Sequence, residues 1–83
     1  MPEMITARIN VTLMDSVLDP QGEAIRQALT TLGFDDVLSI RQGKLFDIKL
    51  RNTNHLQAEE KLKEMCEKLL VNGVIENYTV ELT

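Results

Sequence analysis

Leu18-Asp19-Pro20-Gln21-Gly22, followed by Ala24, Ile25, Ala28, Leu29 and Leu32-Gly33, decides how this chain folds. Asp19 offers a carboxylate to the free backbone N–H groups of a helix start. Pro20 takes the first helical position, where its missing N–H costs nothing and its fixed φ suits the turn. The apolar residues recur at helical spacing, and Gly33 stands where a C-terminal cap belongs. The pattern predicts a helix over 20–32 whose buried stripe is Ala24, Ile25, Ala28, Leu29 and Leu32.

Upstream, residues 4–14 alternate: Ile5, Ala7, Ile9, Val11 and Leu13 on one side, Thr6, Arg8, Asn10 and Thr12 on the other. Period two with β-branched residues predicts a half-buried strand. Downstream, Leu38 and Ile40 share a parity with Phe46, Ile48 and Leu50. A two-residue hairpin loop would flip that parity. Over 35–51 two readings therefore stand side by side: a hairpin with a three-residue loop around Gln42-Gly43-Lys44, or one long strand bent at Gly43. A second helix opens at Asn54, with Gln57 completing a capping box. Its stripe is Ala58, Leu62, Met65, Cys66 and Leu69, and Asn72-Gly73 suits a left-handed cap at its end. A last strand over 74–82 turns Tyr78, Val80 and Leu82 inward.

The expected fold is α+β and two-layered, a ferredoxin-like β-α-β(β)-α-β order with two helices on one face of a mainly antiparallel sheet. The chain makes one small domain, 1–83. A domain this short hides only about 60% of the surface its unfolded chain exposes. Disulfides, metals and self-association are the usual remedies. Cys66 is the only cysteine and His55 the only histidine, so neither an internal disulfide nor a closed zinc site can form, and self-association is left. A net charge of −4 opposes phosphate backbones, which excludes nucleic acid as an expected partner. No apolar run approaches the roughly 20 residues of a membrane span, and the start Met1-Pro2-Glu3-Met4 lacks the pattern of a signal peptide. A cytoplasmic location is expected.

The residue types that carry chemistry are present but scattered. His55 lies beside a helix cap with no identifiable nucleophile or orienting partner. Cys66 falls late in a helix among hydrophobes, where a thiol is a small buried side chain and not a thiolate. Asp35-Asp36 sit at a turn and Asp15 lies far from them in sequence, so turn-forming roles explain them better than a metal pair. Arg41-Gln42-Gly43-Lys44 sets two cations around a glycine, but a phosphate loop needs a longer glycine run opening a helix. No catalytic residue, bound cofactor or metal ligand is expected of this chain.

Taken together, Leu18-Asp19-Pro20-Gln21-Gly22, Leu32-Gly33-Phe34, Arg41-Gln42-Gly43-Lys44 and the run Glu64 to Tyr78 resemble, over nearly the whole chain, the PurS family, the small subunit of phosphoribosylformylglycinamidine synthase. One departure is visible. The family often reads Asn-Pro-Val-Ile-Glu where this chain has Asn72-Gly73-Val74-Ile75-Glu76. The resemblance implies a non-catalytic subunit of an ATP-dependent glutamine amidotransferase. It would act as a homodimer or higher homo-oligomer, bridging a glutaminase subunit and a large synthetase subunit for ammonia transfer in de novo purine (IMP) biosynthesis. ATP and Mg would be used by the synthetase partner. Within the matching motifs, exposed residues that the fold does not need are the expected partner-binding positions: Gln21, Arg41, Lys44, Asn72 and Glu76. Asp19, Pro20, Gly22 and Gly43 are expected to be conformational. The alternative is a ferredoxin-like regulatory module that binds a small metabolite between paired subunits.

Overall fold

The molecule, seen in a computed structural model that describes residues 4–51 and 53–82, follows the expected order. Strand β1 (Met4–Leu13) is followed by helix α1 (Pro20–Thr31), strand β2 (Gly43–Arg51), helix α2 (His55–Met65), a π-helical stretch (Cys66–Leu70) and strand β3 (Glu76–Leu82). The three strands form one antiparallel sheet in the order β2-β1-β3. Register converts the alternation into layers: Ala7 faces Ile48 and Leu82, Ile9 faces Phe46 and Val80, and Val11 faces Lys44 and Tyr78. On the other side Arg8 is paired with Asp47 at 3.0 Å and Asn10 with Thr79 at 3.4 Å, which leaves that face polar.

The core joins Ile5, Ala7, Ile9 and Val11 of β1 to Ala58, Leu62, Cys66 and Val71 of the second helical segment. Asn54 caps α2 by accepting a hydrogen bond from the Gln57 N–H at 2.9 Å. The end of this helix differs from expectation. It stops at Leu70, Val71 is extended, and among the described residues Gly33 is the only glycine with positive φ, so Asn72-Gly73 is no left-handed cap. The wider π turn rotates the following side chains relative to an α-helical stripe. Leu70 consequently turns inward, and Leu69, expected in the core, is 83% exposed.

The segment 35–51 is neither a hairpin nor one long bent strand. Only Gly43–Arg51 is a strand, and residues 37–42 run without regular structure. Gly43 begins the ladder at a close approach, where a Cβ would stand 2.5 Å from the Val11 carbonyl oxygen.

Helix α1 ends as its sequence predicts. Gly33 has φ +104°, its N–H donates to Thr30 O at 3.1 Å, and the Phe34 N–H donates to Leu29 O at 2.9 Å. This pair of bonds is the Schellman arrangement. The expected burial of the α1 stripe does not follow, however: Ile25 is 43% and Leu32 72% exposed. Helix α1 has hardly any contact with the sheet or α2. The chain measures 53 × 27 × 15 Å with a radius of gyration of 16.8 Å, against about 12 Å for a compact chain of this length. The α1 arm accounts for that elongation.

Candidate partner-binding cleft

Where the arm leaves the sheet, Asp19 holds three segments together. It is nearly fully buried, and its two carboxylate oxygens accept from separate backbone N–H groups, Gly22 at 2.9 Å and Gln42 at 2.6 Å. The first bond caps α1; the second ties the helix start to the strand that returns 23 residues later. These hydrogen bonds, that from Gln42 foremost, hold the Asp19 carboxyl below the usual carboxylate range. Gly22 is required beside it, because a Cβ at this position would collide with the Ile40 carbonyl oxygen. The Arg41 guanidinium adds a third tie by donating from Nη2 to Met14 O at 2.8 Å.

Next to this root, a cleft of about 350 Å3 opens at one end of the sheet, lined by Val11, Leu13, Asp19, Gln21, Lys44 and Glu76 among others. Lys44 lies on the apolar face opposite Val11 and reaches Glu76 Oε2 at 3.5 Å, while its ammonium stands 5.8 Å from the Phe46 ring centroid. The other Glu76 oxygen accepts from the Asn72 N–H at 2.7 Å, and Asn72 Oδ1 accepts from the Val74 N–H at 3.1 Å.

Of the five positions singled out in the sequence, three line this cleft: Gln21, Lys44 and Glu76. Asn72 joins them through Glu76, and Arg41 lies two residues before Gly43 on its rim. The structure also separates their roles. Gln21 and Lys44 present exposed polar groups, whereas Arg41, Asn72 and Glu76 each bond to the backbone. Asp19 was legible only as a helix cap. Its bond to Gln42 joins positions too far apart in sequence for any local pattern to reveal.

The cleft contains no nucleophile paired with a base. Burial pushes the Cys66 thiol up, which keeps it neutral and unreactive on the core side of the helix. No group of three or more His, Cys, Asp or Glu side chains suited to hold a metal occurs among the described residues. No buried side-chain polar atom among them lacks a partner. Among the described residues, no helix is long and apolar enough to cross a membrane.

A small α+β domain with an uncovered helix and a polar cleft held by backbone ties has the features of an assembly subunit, one that works through contacts. Comparison with known proteins makes this specific. The sequence profile of PurS, phosphoribosylformylglycinamidine (FGAM) synthase, matches residues 6–83, and the chain belongs to that family. It is 46% identical over 76 residues to the phosphoribosylformylglycinamidine synthase subunit PurS of Synechocystis, covering 92% of this chain and 76% of that one. The Bacillus subtilis PurS subunit is 39% identical over 79 residues, covering 95% and 93%. Among solved structures, the PurS subunit of Thermotoga maritima superposes with a TM-score of 0.89 at 32% identity, covering 100% of this chain and 95% of that one. A chain in the structure of PurLQS from the same organism gives 0.88 at 33% identity, covering 98% and 99%.

Proposed function

We propose that this chain is the non-catalytic small subunit of a cytoplasmic phosphoribosylformylglycinamidine synthase. As a homo-oligomer it bridges a glutaminase subunit and a large synthetase subunit, so that ammonia released at one active site reaches the other during purine biosynthesis. The observation that carries this reading is the near full-length match to a chain within PurLQS, joined to a cleft that holds no reactive centre. Physically, a bridge supplies fixed geometry, which converts a diffusive encounter into a positioned one. Such a role asks for backbone-anchored contact surfaces like the Asp19 root. The subunit itself binds no cofactor; ATP and Mg act in the synthetase partner. Gln21, Arg41, Lys44, Asn72 and Glu76 supply contacts to the catalytic subunits.

The test is reconstitution with the glutaminase and synthetase subunits, comparing glutamine with ammonia as nitrogen source. Omitting this chain is expected to abolish amidine formation from glutamine while leaving the ammonia-driven reaction in place. Equal glutamine-dependent turnover with and without the chain would refute the proposal.

A further inference from the structure

Two unfilled apolar surfaces occur on this one chain, and they match each other. The first is the α1 stripe, where Ile25 and Leu32 are exposed and Phe34 beyond the cap is 56% exposed. The second lies on the helix-bearing face of the sheet. Helix α2 covers β1 and β3, while Phe46, Ile48 and Leu50 of β2 are only partly buried. An apolar groove of about 480 Å3 opens there, lined by Ile48, Met65, Leu69 and Leu70 with Lys61 and Lys68 at its rim. A two-layer fold with two helices would put its other helix at this position. Here the position is empty because the Asp19, Gly22 and Arg41 ties fix the root of the arm and hold α1 away from its own sheet.

We propose that α1 of each copy fills the open helix position on the sheet of a second copy, its stripe seated against Ile48, Met65 and Leu69. The inference rests on the self-association included in the proposed function and specifies the surfaces that meet. Dimensions and charge agree with it. Twelve helical residues span about 18 Å, comparable to the roughly 17 Å from Gly43 to Ile48 along β2. Asp35-Asp36 follow the tip of the arm, opposite in sign to Lys61 and Lys68 on the groove rim. A two-fold exchange satisfies both surfaces of both copies and leaves no open-ended contact. A small apolar ligand would fill the groove but leave the α1 stripe in water.

The experiment uses the intact chain. A 1:1 mixture of 13C-labelled and unlabelled protein is unfolded and refolded together. Isotope-filtered NOE spectra then report methyl contacts between copies, and light scattering reports mass. The expected result is a dimer with intermolecular contacts from Ile25 and Leu29 to Ile48, Met65 or Leu69. A dimer without those contacts overturns the exchange while leaving self-association intact; a monomer at NMR concentration overturns both. As a second measurement, Leu69→Glu alters a side chain that the isolated fold leaves exposed, so the monomer keeps its circular dichroism. Dimer affinity is expected to fall roughly 30-fold or more, the loss typical of an interface hot spot. Unchanged affinity refutes the assignment.

Discussion

Gly22→Ala tests the root of the arm directly. The new methyl would occupy the space of the Ile40 carbonyl oxygen, and its next neighbours are the Ile40 carbonyl carbon at 3.0 Å and Asp19 Cγ at 3.1 Å. Two of these three atoms are backbone, so no rotamer change relieves the overlap. Overpacking of this kind costs about 1–3 kcal/mol. Replacing glycine by alanine in a helix returns about 1 kcal/mol of propensity. Displacing Ile40 also pulls the Gln42 N–H from Asp19, so the cost sits in the upper half of its range. The expected net loss is about 1–2 kcal/mol. For a chain of this length 1 kcal/mol corresponds to roughly 6 °C, giving a fall in Tm of about 6–12 °C. Urea unfolding at fixed protein concentration, followed by far-UV circular dichroism, measures it. Gly73→Ala is the control: a Cβ there meets nothing within 4 Å and φ is ordinary. That substitution should stabilise by about 0.4–1 kcal/mol through the unfolded chain. If Gly22→Ala proves as stable as the parent, the close approach of α1 and Ile40 is not what holds the arm.

Further expectations concern charge, core and contact. The Asp19 carboxyl is held below its unfolded value, so its contribution is fully present above about pH 4 and is lost as pH falls through the folded value. Asp19→Asn should therefore be less stable at pH 7, with the gap to wild type closing below about pH 4; a gap independent of pH in urea titrations would contradict this. Leu62→Ala removes a fully buried side chain facing β1 and should cost about 2–5 kcal/mol, read from denaturant midpoints. Cys66 should resist a thiol reagent in the native protein at pH 8 and react at once in urea, since burial both shields the thiol and raises its pKa. Arg41→Ala with Lys44→Ala should weaken assembly with the glutaminase and synthetase subunits while the chain stays folded. Sedimentation of the mixed subunits against unchanged circular dichroism checks both parts.

The strands and the helix ends were legible because they depend on neighbours in sequence. Period-two alternation placed Ile5, Ala7, Ile9 and Val11 inward, and Asp19-Pro20 and Gly33 marked both ends of α1. Features that depend on distant residues were not legible. An amphipathic stripe records that α1 buries a face, but not against which chain; the outward path of the arm is set by the bond from Gln42 to Asp19. Nothing in Cys66-Glu67-Lys68-Leu69-Leu70 distinguishes a π turn from an α-helical one, so Leu69 was assigned to the core. In 35–51 parity was informative for Phe46, Ile48 and Leu50, yet Leu38 shares that parity and is 94% exposed. Alternation indicates a strand only where a ladder partner exists. The candidate site was half legible. Motif residues Gln21, Lys44 and Glu76 do converge on one cleft, but the backbone ties that occupy Arg41 and Asn72 required the fold to be seen.

Placing β1 in the middle of the sheet has a consequence for biogenesis. Its two flanks are completed by segments that emerge from the ribosome much later, with Met4 aligned to Arg51 and Ala7 to Leu82. Until residue 82 is available, the earliest-made strand keeps one bare edge and a row of aliphatic side chains that other nascent chains can capture. Rapid closure by β3 therefore protects the newborn polypeptide, and slowing translation across 76–82 would raise aggregation without altering a single native contact.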